Sequence, residues 1–158
     1  MTISQLAKEA NIGKGTIYEY FLDKEDIVLE LSQALYEEYK QISSKKIASF
    51  QNAKDKIYCS FTSLYDEEFL NHRKILNIFM GICHYRVDDS YKRFKKRLYK
   101  DHLSLFLSLI KYGIKKENPK NLSKILLNSY TGFFIIFLFY NDCKKTKKEI
   151  RKFLEYVL

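Results

Sequence analysis

Proline occurs once and glycine five times in 158 residues, tryptophan is absent, and cysteine occurs three times. So few punctuating residues leave almost nothing to end strands or build hairpins, while Leu, Ile, Lys, Glu and Tyr dominate between them. The chain reads as all-α. Cys59, Cys83 and Cys143 are odd in number, widely spaced and without a Cys-x-x-Cys pair. They suggest neither a disulfide framework nor a zinc site, and read as core thiols. His72, His84 and His102 have no metal-ligand spacing, and neither a Ser-His-Asp set nor a glycine-rich phosphate loop is present. Nothing here argues for an enzyme, a metal or a bound cofactor. A long apolar run is also missing: the strongest, Gly132 to Tyr140, is about half of the roughly 18 to 20 residues that a membrane-spanning helix needs. With no basic stretch leading into an apolar one at the start, the expectation is a cytoplasmic protein with no membrane partner.

What is present is a hydrophobic fraction of 46%, enough to bury a core in one large or two small domains. The net charge of +9 invites a nucleic-acid reading, but its placement argues otherwise. Residues 1 to 40 hold four lysines against eight carboxylates, a net of −4. The basic excess lies in Arg86 to Lys100 and Lys144 to Lys152, which read as solvated helix faces.

The first forty residues are the most informative. Thr2-Ile-Ser-Gln5 fits a capping box, and Ile3, Leu6, Ala7 and Ala10 then recur at i, i+3, i+4 and i+7 before Asn11-Ile-Gly13 breaks the pattern. In the next segment, Lys14 to Phe21, Ile17 and Phe21 lie one turn apart, so Lys14, Thr16, Tyr18 and Glu19 fall on the outer side. Two short helices about a glycine-containing turn make a helix-turn-helix. Asp23 caps a third helix with Asp26 at N3, and Lys24 stands at its first turn, where unpaired N–H groups and a lysine suit a phosphate.

The run from Thr2 to Lys24 resembles the TetR family of bacterial repressors: a Thr, a short helix with Leu-Ala, Lys-Gly-Thr opening the recognition helix, and a Tyr-x-x-Phe followed shortly by Lys. The resemblance implies that Thr2, Thr16, Tyr18, Tyr20 and Lys24 contact phosphates of a double-stranded operator. Gly13, Lys14, Gly15 and Glu19 would then lie nearest the base edges, with Glu19 either accepting from a cytosine amino group or staying clear. Family members carry a further helix before the capping Thr, and here Met1 directly precedes Thr2. The expectation is a head lacking its first helix, mobile over residues 1 to about 22 and weak in operator binding.

Beyond the head, helices are predicted near 24–44, 53–70, 72–86, 90–116, 119–142 and 147–158. The stripe Tyr91, Phe94, Leu98, His102, Leu105, Leu109 and Tyr112 holds one histidine, which fits a satisfied core residue or a ligand contact. Asn118-Pro119 starts a helix apolar nearly all round, and Thr146-x-x-Glu149 reads as a second capping box before an amphipathic last helix. Together these suggest a two-fold four-helix homodimer interface of Phe133, Phe134, Phe137, Ile150, Phe153, Leu154 and Val157. In the family, the C-terminal domain encloses a small-molecule inducer. Phe61, Tyr65, Phe79, Met80, Cys83, His102, Tyr130 and Phe134 could line such a pocket, although each also fits plain core. The expected domains are 1–40, the head with its connecting helix, and 41–158, for ligand binding and dimerisation. The expected function is a ligand-responsive DNA-binding regulator, a repressor released by a small molecule. The competing reading is a dimeric helical ligand-binding or interaction module that has lost DNA binding.

Overall fold

The computed structural model describes residues 2–70, 72–86, 88–114 and 117–158, and among these every regular element is helical. Helix α1 (Ile3–Glu9) opens with the expected box: the Thr2 N–H donates to Gln5 Oε1 at 2.7 Å and the Gln5 N–H to Thr2 Oγ1 at 3.2 Å. Asn11 ends it with a φ of 53°, a left-handed turn that asparagine tolerates. Helix α2 (Lys14–Tyr20) follows. Asp23 caps α3 (Lys24–Ser49) by accepting from the Asp26 N–H at 2.9 Å, a bond that contributes about 1 kcal/mol. Seven-residue helices are marginal alone, because nucleation is costly and packing supplies most helical stability. Here Ile3, Ala7 and Ile17 bury one another with Leu6, Phe21 and Ile27 around them, so the head borrows the first turn of α3 as cover.

Helix α3 outruns the expected 24–44 span and passes residue 40 without a break. The predicted 53–70 helix is instead divided into α4 (Ala53–Thr62), a 3-10 turn over Ser63–Tyr65, and α5 (Glu67–Leu70). The break has a local cause. The hydroxyls of Ser60 and Thr62 donate back to the Ile57 and Tyr58 carbonyls at 2.7 and 2.9 Å, which weakens a helix end. Asp66 is extended and held by Lys46 and Lys147 at 3.1 and 2.8 Å. Helix α6 (Arg73–Tyr85) is followed by α7 (Asp89–Gly113), capped by Asp88. The predicted extension of α7 to 116 falls on Lys115 and Lys116, outside the described residues.

Helix α8 (Pro119–Tyr140) starts from the Asn118 cap and stops at Asn141, again left-handed with a φ of 53°. The second capping box is a correction. Helix α9 (Cys143–Val157) begins four residues earlier than expected, because Asp142 accepts from the Lys145 N–H at 2.9 Å and thereby takes the cap. Thr146 is buried inside the helix and donates to the Asp142 carbonyl at 2.7 Å.

Two cores make up the body. One gathers α4, the second half of α7, α8 and α9 around Phe61, Phe106, Leu126 and Ile150; the other gathers α3, α6 and the start of α7 around Phe79, Tyr91 and Phe94. Gly113 lets α7 close on α4, since a Cβ there would lie 2.9 Å from the Ala53 Cβ. Counting uninterrupted apolar residues understated α8, whose 22 residues are long and apolar enough by length and composition to cross a membrane. In this fold α8 lies against α7 and α9, with Leu122, Leu126, Leu127, Tyr130 and Phe137 buried.

Candidate DNA-reading head and ligand cavity

The α1–α2 turn presents its candidate DNA contacts outward. Thr2, Gly13, Lys14, Gly15, Glu19 and Lys24 are exposed, Tyr18 and Tyr20 are 50% and 77% exposed, and only Thr16 is half-buried. Burial of Ile17 helps fix this face, because Tyr18 and Glu19, one and two positions further round the helix, then turn outward. The Lys14 ammonium sits 5.8 Å above the Tyr18 ring, which keeps that cation on the outer surface. At the start of α3, the seat suggested beside Lys24 already has carboxylate company in Asp23, Glu25 and Asp26.

Between α3, α6, α7 and α8 lies a cavity of about 330 Å³, walled mainly by Leu35, Leu64, Phe69, Leu76, Phe79, Met80, Phe94, Leu98, Leu127 and Phe134. Of the pocket residues expected from sequence, Phe79, Met80, Cys83, His102, Tyr130 and Phe134 line it. Phe61 and Tyr65 do not. Phe61 is fully buried among the rings of Phe106, Tyr130, Phe133 and Phe153, and Tyr65 packs edge-on against Phe137 at 4.7 Å. Spacing along a helix cannot separate a ring that faces a cavity from one that faces its neighbours.

The few polar groups of the lining are mostly engaged within the chain. The Tyr36 hydroxyl donates to Asp101 at 3.2 Å, the Tyr39 hydroxyl lies 3.1 Å from Ser63 Oγ, Thr131 donates to Leu127 O at 3.0 Å, and the Lys95 ammonium donates to Cys83 O at 3.3 Å. His102 is both readings at once. Its Nδ1 pairs with the Leu98 carbonyl at 2.8 Å and its ring lies 4.9 Å from that of Tyr130, yet it also borders the cavity. Burial, only partly opposed by that hydrogen bond, holds its pKa below the ordinary value of 6.5 and keeps the imidazole neutral. Burial also pushes the Cys83 thiol up to about 11, so it is a neutral wall group.

The expected dimer residues divide. Phe133, Phe153 and Val157 are half-buried, and Phe134 borders the cavity, whereas Phe137, Ile150 and Leu154 belong to the chain's own core. A helix apolar on every side does not announce which face turns inward. The outward apolar face instead carries Ile125, Ile135, Ile136, Phe139 and Tyr140 of α8 with Tyr156 of α9; Phe139 and Tyr140 are 80% and 79% exposed.

Residues 1–31 match the profile of bacterial regulatory proteins, tetR family. Those residues contain the capped α1, the turn and α2 described above. The chain carries a tetR-family helix-turn-helix segment. Behind it, the all-α body has the fold of solved regulators. A transcriptional regulator FadR from Bacillus subtilis, in complex with stearoyl-CoA, superposes with a TM-score of 0.76 at 18% identity, over 98% of this chain and 87% of that one. A transcriptional regulator of the TetR/AcrR family from Thermobifida fusca does so with a TM-score of 0.70 at 15% identity, over 98% and 85%. No curated protein matches the sequence. The tetR-family segment was legible from sequence; Arg86, Lys95, Tyr36 and Tyr39, which organise the ground between segment and cavity, were not. Their partners lie on other helices, some of them more than sixty positions away.

Proposed function

We propose that the chain is a homodimeric repressor whose tetR-family head holds operator DNA until a small ligand with a long apolar part enters the α3–α6–α7–α8 cavity. The observation that carries this reading is that α3 serves both ends: its first turn closes the head core through Ile27, while Ser32, Leu35, Tyr36 and Tyr39 border the cavity. A wall of Leu, Phe and Met with most of its hydroxyls already paired favours a hydrocarbon chain over a charged or sugar-like ligand, because most polar groups brought inside would lose water without gaining a partner. The Lys95 ammonium suits an anionic headgroup. An acyl thioester such as the stearoyl-CoA bound by the Bacillus regulator has this chemistry.

The homodimer reading rests on the outward apolar face of α8 and α9, which single-chain folding leaves in water. Gly132 lies among the residues of that face on α8, where the lack of a side chain would let a partner helix approach closely. The test is a gel-shift titration on the promoter of the protein's own gene, with stearoyl-CoA, stearic acid and free coenzyme A as competitors. Release by the first but not the last is expected. If none of the three raises the melting temperature or weakens the DNA complex, the ligand reading fails; if no DNA complex forms, the regulator reading fails.

A further inference from the structure

Arg86 closes the last turn of α6 by donating its N–H to Ile82 O, and its side chain reaches the start of α3. One guanidinium nitrogen, Nη1, contacts both oxygens of Asp23 at 2.9 and 2.8 Å, Nη2 contacts Asp26 at 3.2 Å, and Nε is held by Asp88. Glu25 lies 3.9 Å away, the Tyr91 ring centroid lies 5.3 Å from the guanidinium carbon, and the Tyr91 hydroxyl donates to Glu25 O at 2.6 Å. Asp23 and Asp26 are the residues that start α3: Asp23 caps it, and Asp26 accepts from the Leu22 N–H at 3.0 Å. Arg86 therefore ties the connection between α2 and α3 to the end of α6. Among the described residues, it and Tyr91 are the body side chains with polar contacts to residues 2–26. Beside them an open cleft of about 700 Å³ separates Tyr18 to Leu22 from the start of α7.

The same end of α6 also borders the cavity. Met80 and Cys83, one to two turns before Arg86, form part of its wall, and the Cys83 carbonyl is the acceptor for Lys95. A ligand that displaces the end of α6 must move the Arg86 backbone, and a planar five-donor fork bound to two carboxylates transmits that movement to α3 better than apolar contact would. We infer that Arg86 is a positioning residue: it sets the angle of the reading head on the body and passes the state of the cavity to it. The second half of this inference rests on the ligand reading proposed above.

The test compares the full chain with Arg86→Met and Arg86→Lys, alone and combined with Cys83→Phe, a substitution that fills the cavity without any ligand. Four quantities are measured: amide exchange over Thr2 to Tyr20 and over the body, promoter affinity, its change with saturating stearoyl-CoA, and direct stearoyl-CoA binding. Arg86→Met should speed exchange in the head alone and weaken promoter binding about tenfold. It should also reduce the effect of stearoyl-CoA or of Cys83→Phe on DNA affinity from the usual allosteric range of about 5- to 150-fold to about one. Stearoyl-CoA binding itself should be unchanged, and Arg86→Lys should recover part of the coupling. Unchanged head exchange and promoter affinity in Arg86→Met would overturn the inference, as would an equal rise of exchange throughout the body, the mark of a merely structural residue. If stearoyl-CoA binds neither protein, the ligand reading falls alone, and the Cys83→Phe pair still decides whether Arg86 carries the coupling.

Discussion

The hydroxyls of Tyr39 and Tyr130, ninety-one positions apart, meet at 3.4 Å inside the fold. Tyr39 belongs to the core of α3 and α6, Tyr130 to that of α4, α8 and α9, so the contact joins the two halves of the body. Tyr39 also lies 3.1 Å from Ser63 Oγ and donates to Ser60 O at 3.5 Å. Removing its hydroxyl takes a partner from Ser60, Ser63 and Tyr130 at once, whereas removing that of Tyr130 leaves Tyr39 with its other two. Tyr39→Phe should therefore cost about 1–3 kcal/mol and Tyr130→Phe less. Urea denaturation of both variants checks this, and the reverse order would refute it.

His102 makes stability depend on pH. Its folded pKa lies below the ordinary 6.5, so its neutral form contributes stability that is fully present above about 6.5 and is lost as the pH falls through the folded value. Melting temperatures should fall between pH 7 and pH 5 in the natural protein and fall less in His102→Gln. An equally steep fall in the variant would move the responsibility to other groups.

The outward face of α8 predicts a contrast between neighbours. Ile136→Glu or Phe139→Glu should leave a folded chain that sediments as a monomer, because these side chains face water in the single chain. Phe137→Glu should instead unfold it, because a carboxylate at that buried position has no partner. Circular dichroism and sedimentation velocity separate the two outcomes. A stable Ile136→Glu, Phe139→Glu double-variant dimer would place the interface elsewhere.

On DNA, Tyr18→Phe and Lys24→Ala should weaken binding to all sequences alike, and the lysine change should flatten the salt dependence by about one unit. Substitution of Lys14 or Glu19 should shift which sequence is preferred. A selection from random oligonucleotides reads both, and a changed preference in Lys24→Ala would reverse the assigned roles.

Gly113→Ala should destabilise, because its Cβ would stand 2.9 Å from that of Ala53, a forced overpacking that costs typically about 1–3 kcal/mol. Gly81, whose Cβ would meet nothing within 4 Å, is the control. There an alanine should be neutral or stabilising, since alanine favours a helix over glycine by about 1 kcal/mol. Thermal denaturation of the two variants gives the answer, and equal effects would remove the close approach of α7 to α4 from the account.

Local chemistry was written in the chain. The Thr2–Gln5 box, the Asp23 and Asn118 caps and the outward face set by Ile17 all join residues within four positions of each other, where backbone geometry leaves few alternatives. The all-α class and the helix-turn-helix followed from the same short-range rules, and the tetR-family segment from the resemblance of the Thr2 to Lys24 run. Three things needed the third dimension. Thr146 lost its cap to Asp142 because two competing acceptors stand four residues apart and packing chose between them. Phe137 turned inward because α8, apolar on nearly all sides, acquires a direction only from its neighbours, and Ile150 and Leu154 joined the chain's own core because an amphipathic pattern marks an apolar face without saying which helices cover it. Arg86 found Asp23 across sixty-three positions, and no pattern of spacing identifies a charge pair of that range, since its partners are set by how α6 lies against α3.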